Sequence, residues 1–388
     1  MNAVFIYSTL RYPPLFTLVA GPGDLVQIAA RLDGFAVERV QGARSPMLVP
    51  RAGAQAQGVV LRGVSPARMA RLALFDLPVG DWFAPVTVQT DAGPVAAQVC
   101  LARDGLVSDG TPWVLDDWVA TDAAVTLLVA RELAATDPWP DAAGKARQWP
   151  MIQARADAAM RARAQTIPAT LRHAAVPDDV VWQDQSPLVG QFFRYATIAL
   201  THRRFDGTRS PPLPREVLVG VDAAVVLPYD PVRDRVLLVE QVRTGPTRRG
   251  DPNPWCLEPV AGIVDAGETP HDAAMRECAE EAGLVPDRLE PMFAIYASPG
   301  SSTDYFHCFL GLADLPDTLP RRGGLEEEDE DLRLHLVALD DALALIDTGE
   351  ANAGQLVAML LWLARHRDRI RNQSGMSNPG GASSKPSN

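Results

Sequence analysis

The stretch that most constrains this chain is Gly262–Leu284, GIVDAGETPHDAAMRECAEEAGL. It predicts a short helix with marked ends. Thr269 is a good N-cap, Pro270 suits the first helical position, and Asp272 follows three residues after the cap, as in a capping box. Ala273, Ala274 and Met275 favour helix, and Gly283 supplies the stop. On such a helix Glu277 and Glu281 are four apart and Glu280 is three beyond Glu277, so their side chains are neighbours. Like charges at that spacing destabilise an isolated helix until a cation neutralises them. Every donor offered is a hard oxygen, with no His or Cys pairing beside it, which points to Mg²⁺ or Mn²⁺ rather than zinc. Arg276 can pair with Glu280 one turn on and brace the array. A solvated acidic helix face is the plain alternative, and the fit of Gly262, Glu268 and Gly283 argues against it.

At these residues the chain resembles the Nudix hydrolases. Their signature is Gly, five residues, Glu, seven residues, Arg-Glu, an apolar residue, any residue, Glu-Glu, any residue, Gly and an apolar residue. Gly262, Glu268, Arg276, Glu277, Glu280, Glu281, Gly283 and Leu284 match it, and Cys278 takes one apolar slot. The resemblance implies a loop–helix–loop that holds Mg²⁺ against a substrate diphosphate, with Glu277 and Glu281 as leading metal ligands. Glu280 would be a further ligand or a water-positioning acid, and the backbone carbonyl of Ala261 a further metal contact.

A chain of 388 residues is long for one core and suggests two domains. Its 47% hydrophobic content supports globular packing, and no apolar run is long enough to span a membrane. The start, MNAVFIYSTLRYPP, lacks the basic-then-apolar layout of a signal peptide. Cys100, Cys256, Cys278 and Cys308 lie scattered in apolar contexts without metal spacing and read as reduced core residues of a cytoplasmic protein. A net charge of −12 argues against nucleic-acid binding through a basic surface, and says nothing against a small anion held by metal.

Residues 113–134 read as a helix, TDPWPDAAGK breaks it, and Pro150 to about Ala164 reads as a second, charged helix. From Gln165 to about Asp179 periodicity is lost, as in a connector. The expected division is therefore a domain over 1–115, a helical extension and linker over 116–179, a second domain over 180–371, and a polar tail over 372–388 that is expected to be disordered. In the second domain Ala223–Leu227 and Arg235–Glu240 flank a Pro-Tyr-Asp-Pro turn as a hairpin. Trp255–Val260 leads into the metal helix. Met292–Ala297, Tyr305–Leu312 and Leu332–Val337 follow as strands, and helices are expected around Leu339–Ile346 and Ala353–His366. The whole is α+β, and this half matches the α/β/α sandwich with a mixed sheet that the Nudix resemblance implies.

Segments outside the box narrow the resemblance. Glu240-Gln241-Val242-Arg243 closes the hairpin, LEPVAG runs into the box, and Pro299 of Ser298-Pro299-Gly300 stands sixteen positions beyond Gly283. The acidic run GLEEEDEDLRLH precedes a strand. Together these look like the ADP-ribose pyrophosphatase branch. That branch implies hydrolysis of ADP-ribose to AMP and ribose 5-phosphate by a homodimer joined through its Nudix domain. It puts the water-activating base at Glu328 and an extra metal contact at Glu330, and a one-residue shift would put the base at Glu327. A carboxylate suits the task, since water beside a divalent ion already has a lowered pKa. Glu240 and Arg243 would orient the ligand, the Arg fork being suited to phosphate. Pro299 and Gly300 form the adjoining turn. Asp304 stands where relatives use a carboxylate, usually Glu, on the terminal ribose. Phe193 or Trp182 is a candidate for stacking on adenine, and Arg203, Arg204 and Arg215 for a cross-subunit role. Two alternatives stay open: hydrolysis of another nucleoside diphosphate (a sugar nucleotide or NADH), and a sensor that binds ADP-ribose without cutting it. The intact box favours an enzyme.

The opening strand VFIYSTLR, with Tyr7, Ser8, Thr9 and Leu10, resembles the Tyr-Gly-Thr-Leu-Arg start of γ-glutamylcyclotransferase-like (AIG2-like) domains. Leu72–Val88 resembles their later segment with the catalytic acid, where Asp76 replaces Glu. The family implies a small β-barrel with helices over about 1–115. Ser8 replaces the usual Gly, and its Cβ is expected to narrow a loop meant to grip a carboxylate with backbone N–H groups. The aromatic-then-Arg motif after Asp81 lacks its Arg. A scaffold or ligand-binding role is therefore favoured over an active cyclotransferase.

Overall fold

The computed structural model describes residues 3–21, 25–76, 83–101, 105–136, 140–166, 168–325 and 330–375. These fall into two compact units, Met1–Glu216 and Val217–Asn388.

The first unit is organised by its opening apolar strand. β1 (Ala3–Ile6) is buried throughout because it is flanked on both sides. After it come a 3-10 turn (Thr9–Arg11), α1 (Pro13–Ala20), β2 (Val26–Val40), β3 (Pro46–Arg62), α2 (Pro66–Asp76), β4 (Phe83–Thr90), β5 (Gly93–Cys100) and β6 (Ser108–Pro112). β1 runs antiparallel to β3 and parallel to β5. The sheet order is β3-β1-β5-β4-β2-β6, and the long β2–β3 ribbon pairs its ends to close a barrel. Strand alternation turns Phe5 and Tyr7 inward with Leu32, Val60, Val88 and Val99, and Val4 and Ile6 outward. Gly58 lets β3 approach closely, for a Cβ there would meet the Ile6 carbonyl and the Phe5 ring.

The outward face packs on helices: α1, α2, α3 (Leu115–Thr121), α4 (Ala123–Ala134) and α5 (Ala142–Ala164). The helix expected over 113–134 is thus two helices, with Asp122 at their junction. The helix expected from Pro150 begins at Ala142 and keeps Pro150 inside it. Its start was hidden in the Pro-rich breaker, where Asp141 is the N-cap and accepts from Gly144 N at 2.6 Å. Lys145 on α5 is buried; its Nζ donates to the Leu74 and Phe75 carbonyls at the end of α2 and sits 4.2 Å above the Trp149 ring.

A three-stranded sheet follows: β7 (Val180–Asp184), β8 (Arg194–His202) and β9 (Leu213–Val219), in that order. Contacts group residues 180–216 with the first unit, although the sequence reading sets them at the head of the second domain. Buried Arg194 is the physical reason. Its Nε donates to Glu132 of α4 at 3.1 Å and its Nη2 to Gln148 of α5 at 2.9 Å. Arg155 of α5 grips the same Glu132 and donates to the Phe192 carbonyl at 2.7 Å.

The second unit holds β10 (Asp222–Asp230), β11 (Arg235–Val242), α6 (Thr244–Arg249), β12 (Trp255–Glu258), β13 (Val260–Ile263), α7 (Pro270–Ala282), β14 (Arg288–Tyr296), β15 (Tyr305–Leu312), β16 (Arg322–Gly323), β17 (Leu332–Ala338), α8 (Leu339–Thr348) and α9 (Gly354–Gly375). Its mixed sheet runs β14-β15-β10-β11-β17-β16, with β12 on β11 and β13 on β10. β10 and β15 are parallel; the other recorded pairs are antiparallel. Alternate residues face opposite layers: Ala224, Val226, Leu237 and Val239 pack on α7, and Val225, Leu227, Val236 and Leu238 pack on α9. This is an α/β/α sandwich. The strand expected over Trp255–Val260 breaks at Pro259, which brings no N–H to a ladder. Residues 372–375, expected in the polar tail, complete α9, while 376–388 lie outside the described residues.

Among the described residues, no helix is long and apolar enough to cross a membrane, and all four cysteines are buried.

Candidate active site

α7 forms where its signals predict. Thr269 Oγ1 accepts from Asp272 N at 3.2 Å, and Gly283 ends the helix in the left-handed region, φ 60°. Ala273, Ala274, Cys278 and Ala282 bury one face against the sheet, which leaves the box acids along the edge facing β13.

Arg276 organises those acids. It donates from Nε and Nη2 to the two oxygens of Glu268, at 3.1 Å each. Its Nη1 donates to Glu277 at 2.6 Å and to Glu280 at 2.9 Å, and its Nη2 to the Ile263 carbonyl at 2.9 Å. Glu268 also accepts from Asp265 N at 3.1 Å, so the loop before α7 is fixed to the same guanidinium.

Glu281 is 3% exposed and its Oε2 accepts from Ala261 N at 3.0 Å. Burial, with the charges of Glu277 and Glu330 adding to it, pushes its carboxyl up to about 8. Burial also raises Glu277 to about 7; Arg276 opposes the rise and the charges of Glu280 and Glu330 add to it. Gly262 leaves room for Glu277 on the strand side: a Cβ there would run into its carboxylate.

A buried carboxylate, Glu281, and a half-buried one, Glu277, both lifted toward neutrality and with hard oxygen donors beside them, fit a divalent cation by donor chemistry. Glu277, Glu281, Glu330 and the Ala261 backbone are the residues that could hold it. No group of three or more carboxylate, His or Cys side chains forms a ready cage among the described residues. Arg276 engages both Glu277 and Glu280. Glu330 is anchored at the end of the acidic loop, where its Oε2 accepts from Leu325 N at 3.2 Å. Glu328, the expected base, and its neighbour Glu327 lie outside the described residues.

Of the flanking residues, Arg243 is brought to the site. It caps α6, its Nε donates to Glu258 at 2.7 Å, and its charge acts on Glu281. Glu240 is tied across the sheet instead, accepting from His335 at 2.8 Å and Arg333 at 3.3 Å. Pro299 and Gly300 lie in an exposed turn closed by Ser301 N to the Ser298 carbonyl at 3.0 Å. Asp304 rests on Gly220, where a Cβ would collide with it, and accepts from Ser302 Oγ. Among the described residues no hydrogen bond joins this turn to the box acids. Trp182, Phe193, Arg203, Arg204 and Arg215 belong to the first unit; Arg203 pairs there with Asp179 at 3.0 Å. Glu258 was not singled out from the sequence. Its signal was an acid ending an otherwise apolar strand, WCLE.

In the first unit Tyr7, Ser8, Thr9 and Leu10 are all buried. Ser8 is extended, φ −89° and ψ −165°, so its Cβ brings no backbone strain. Asp76 is the last residue of α2.

A capped acidic helix against a glycine-bearing strand, in an α/β/α sandwich, defines a Nudix hydrolase domain. The chain belongs to that family: the NUDIX domain model matches residues 220–360, and the model for gamma-glutamyl cyclotransferase, AIG2-like, matches 4–120. ADP-ribose pyrophosphatase of Escherichia coli (strain K12) is 37% identical over 182 residues, covering 47% of this chain and 86% of the relative. GDP-mannose pyrophosphatase of Citrobacter koseri is 32% identical over 170 residues, covering 44% and 86%. A crystal structure of an ADP compounds hydrolase aligns with a TM-score of 0.38 at 19% identity, over 50% of this chain and 93% of that one.

Proposed function

We propose that the second unit hydrolyses the diphosphate of ADP-ribose to AMP and ribose 5-phosphate, with Mg²⁺ as cofactor and Mn²⁺ as a substitute. The observation that carries this reading is the pair Glu277 and Glu281, set against the Ala261–Gly262 backbone, Glu281 buried and Glu277 half-buried, with carboxyls raised toward neutrality. The bound cation supplies charge neutralisation on the diphosphate and fixes its orientation. Glu277, Glu281, Glu330 and the Ala261 carbonyl hold it. Arg276 keeps Glu277 and Glu280 oriented through its shared donors. Arg243 donates to a phosphate oxygen, and Glu328 takes the proton of the attacking water. Glu240, Pro299, Gly300 and Asp304 border the ligand. The enzyme acts as a homodimer through its Nudix domain, in the cytoplasm, and the first unit serves as a scaffold or ligand-binding module.

The 37% and 36% identities to proteins named ADP-ribose pyrophosphatase support the substrate. The relative named GDP-mannose pyrophosphatase supports a second reading, a sugar nucleotide. Turnover of ADP-ribose, NADH, GDP-mannose and diadenosine compounds with Mg²⁺ separates the two. A sugar nucleotide or NADH preferred by more than about tenfold, a gap of about 1.4 kcal/mol in transition-state binding, would sink the ADP-ribose assignment.

A further inference from the structure

We infer that Glu258 is a positioning residue that aims Arg243 at the diphosphate. The inference rests on the reading of the second unit as a diphosphate hydrolase. Glu258 closes β12, opposite Val239 of β11, and is 6% exposed. Its Oε2 takes both Nε and Nη2 of Arg243, at 2.7 and 2.6 Å. Its Oε1 accepts from Gln355 Nε2 of α9 at 3.3 Å. A buried carboxylate is costly unless its oxygens are used, and here both are.

This fixes the guanidinium plane of Arg243 along one edge, while Nη1 has no acceptor among the described residues and the side chain stays 41% exposed. A fork ordered before the ligand arrives binds phosphate with less rotamer freedom to lose.

The test is a double-mutant cycle on the full chain: wild type, Glu258→Gln, Arg243→Met and the double variant. KM and kcat for ADP-ribose with Mg²⁺ are measured, together with calorimetric affinity for inorganic pyrophosphate with Mg²⁺. Glu258→Gln keeps shape and an acceptor for Gln355 but loses the charge-assisted bonds, so KM rises about tenfold with kcat within about threefold. In the Arg243→Met background the same change adds nothing further. Unchanged KM in Glu258→Gln, or losses that add in the double variant, overturn the inference. A wild type that hydrolyses no nucleoside diphosphate refutes the hydrolase reading instead. The cycle on pyrophosphate affinity then decides alone: coupling supports the inference, and no coupling or no binding overturns it. If Glu258→Gln fails to fold, Glu258→Asp replaces it under the same criteria.

Discussion

Glu281 accepts a hydrogen bond from the backbone N–H of Ala261 at 3.0 Å, which ties the last acid of the box to the residue just before its first glycine. Helix and strand are thereby locked at the spot where a cation would sit. The lock holds a carboxyl that burial has raised from 4.5 to about 8, beside Glu277 at about 7.

The first prediction concerns pH. A carboxyl raised on folding contributes stability that is full below its unfolded value and is lost as pH rises through its folded value. In the metal-free protein Glu277 and Glu281 therefore make the melting temperature fall as pH rises from about 4.5 to about 8. Asp230 and Asp234 are shifted the other way, so their contributions are already complete above the ordinary carboxylate range. Cations bind the deprotonated acids, so Mg²⁺ should tighten over the same window and its thermal stabilisation should grow. Melting curves with and without Mg²⁺ at several pH values check this; a stabilisation that is flat or shrinks between about pH 5 and 8 contradicts it.

Glu281→Gln removes the charge but keeps an oxygen for Ala261 N. The metal-free protein should become more stable at pH 8, because a buried ionised group is gone. Activity should fall by roughly 10²-fold or more, the several kcal/mol expected when a metal ligand's charge is lost. Both are read on one preparation. Loss of fold, or full activity, would refute the assignment of Glu281 as a ligand.

How much of this was legible beforehand depends on how local each signal was. The ends of α7, the box spacing and the β10–β11 hairpin rest on neighbours within a few residues, so caps, glycines and alternation revealed them. The grouping of residues 180–216 with the first unit was not legible. Arg194 reaches partners 62 and 46 positions away, Glu132 and Gln148, and no periodicity announces such a pairing. Glu258 was missed for the same reason: it meets Gln355 across 97 positions. The beginning of α5 was concealed by a proline-rich stretch that nevertheless contains its own cap, Asp141.

Gly262→Ala should act on the site rather than on the fold. Its Cβ would meet the Glu277 carboxylate, a side chain able to move aside at a cost of about 1–3 kcal/mol for a crowded site. Glu277 would then leave its place opposite Glu281. The expected outcome is a fall in Mg²⁺ affinity of at least about tenfold, with a far-ultraviolet spectrum unchanged from wild type. Unaltered Mg²⁺ affinity would mean that the glycine is not needed to hold Glu277 in place.

Lys145→Met tests the first unit by itself. The amine is buried and serves the Leu74 and Phe75 carbonyls, so its loss leaves two helix-end acceptors without that donor. Met fills much of the same volume, which keeps the cavity contribution small. Stability of the first unit should drop by about 1–3 kcal/mol, followed as the shift of the denaturation transition reported by Trp149, which the amine contacts. Diphosphate hydrolysis should stay within about twofold of wild type, because the box acids lie in the other unit. A variant that keeps the transition in place but loses hydrolysis would show instead that the two units are coupled through α5.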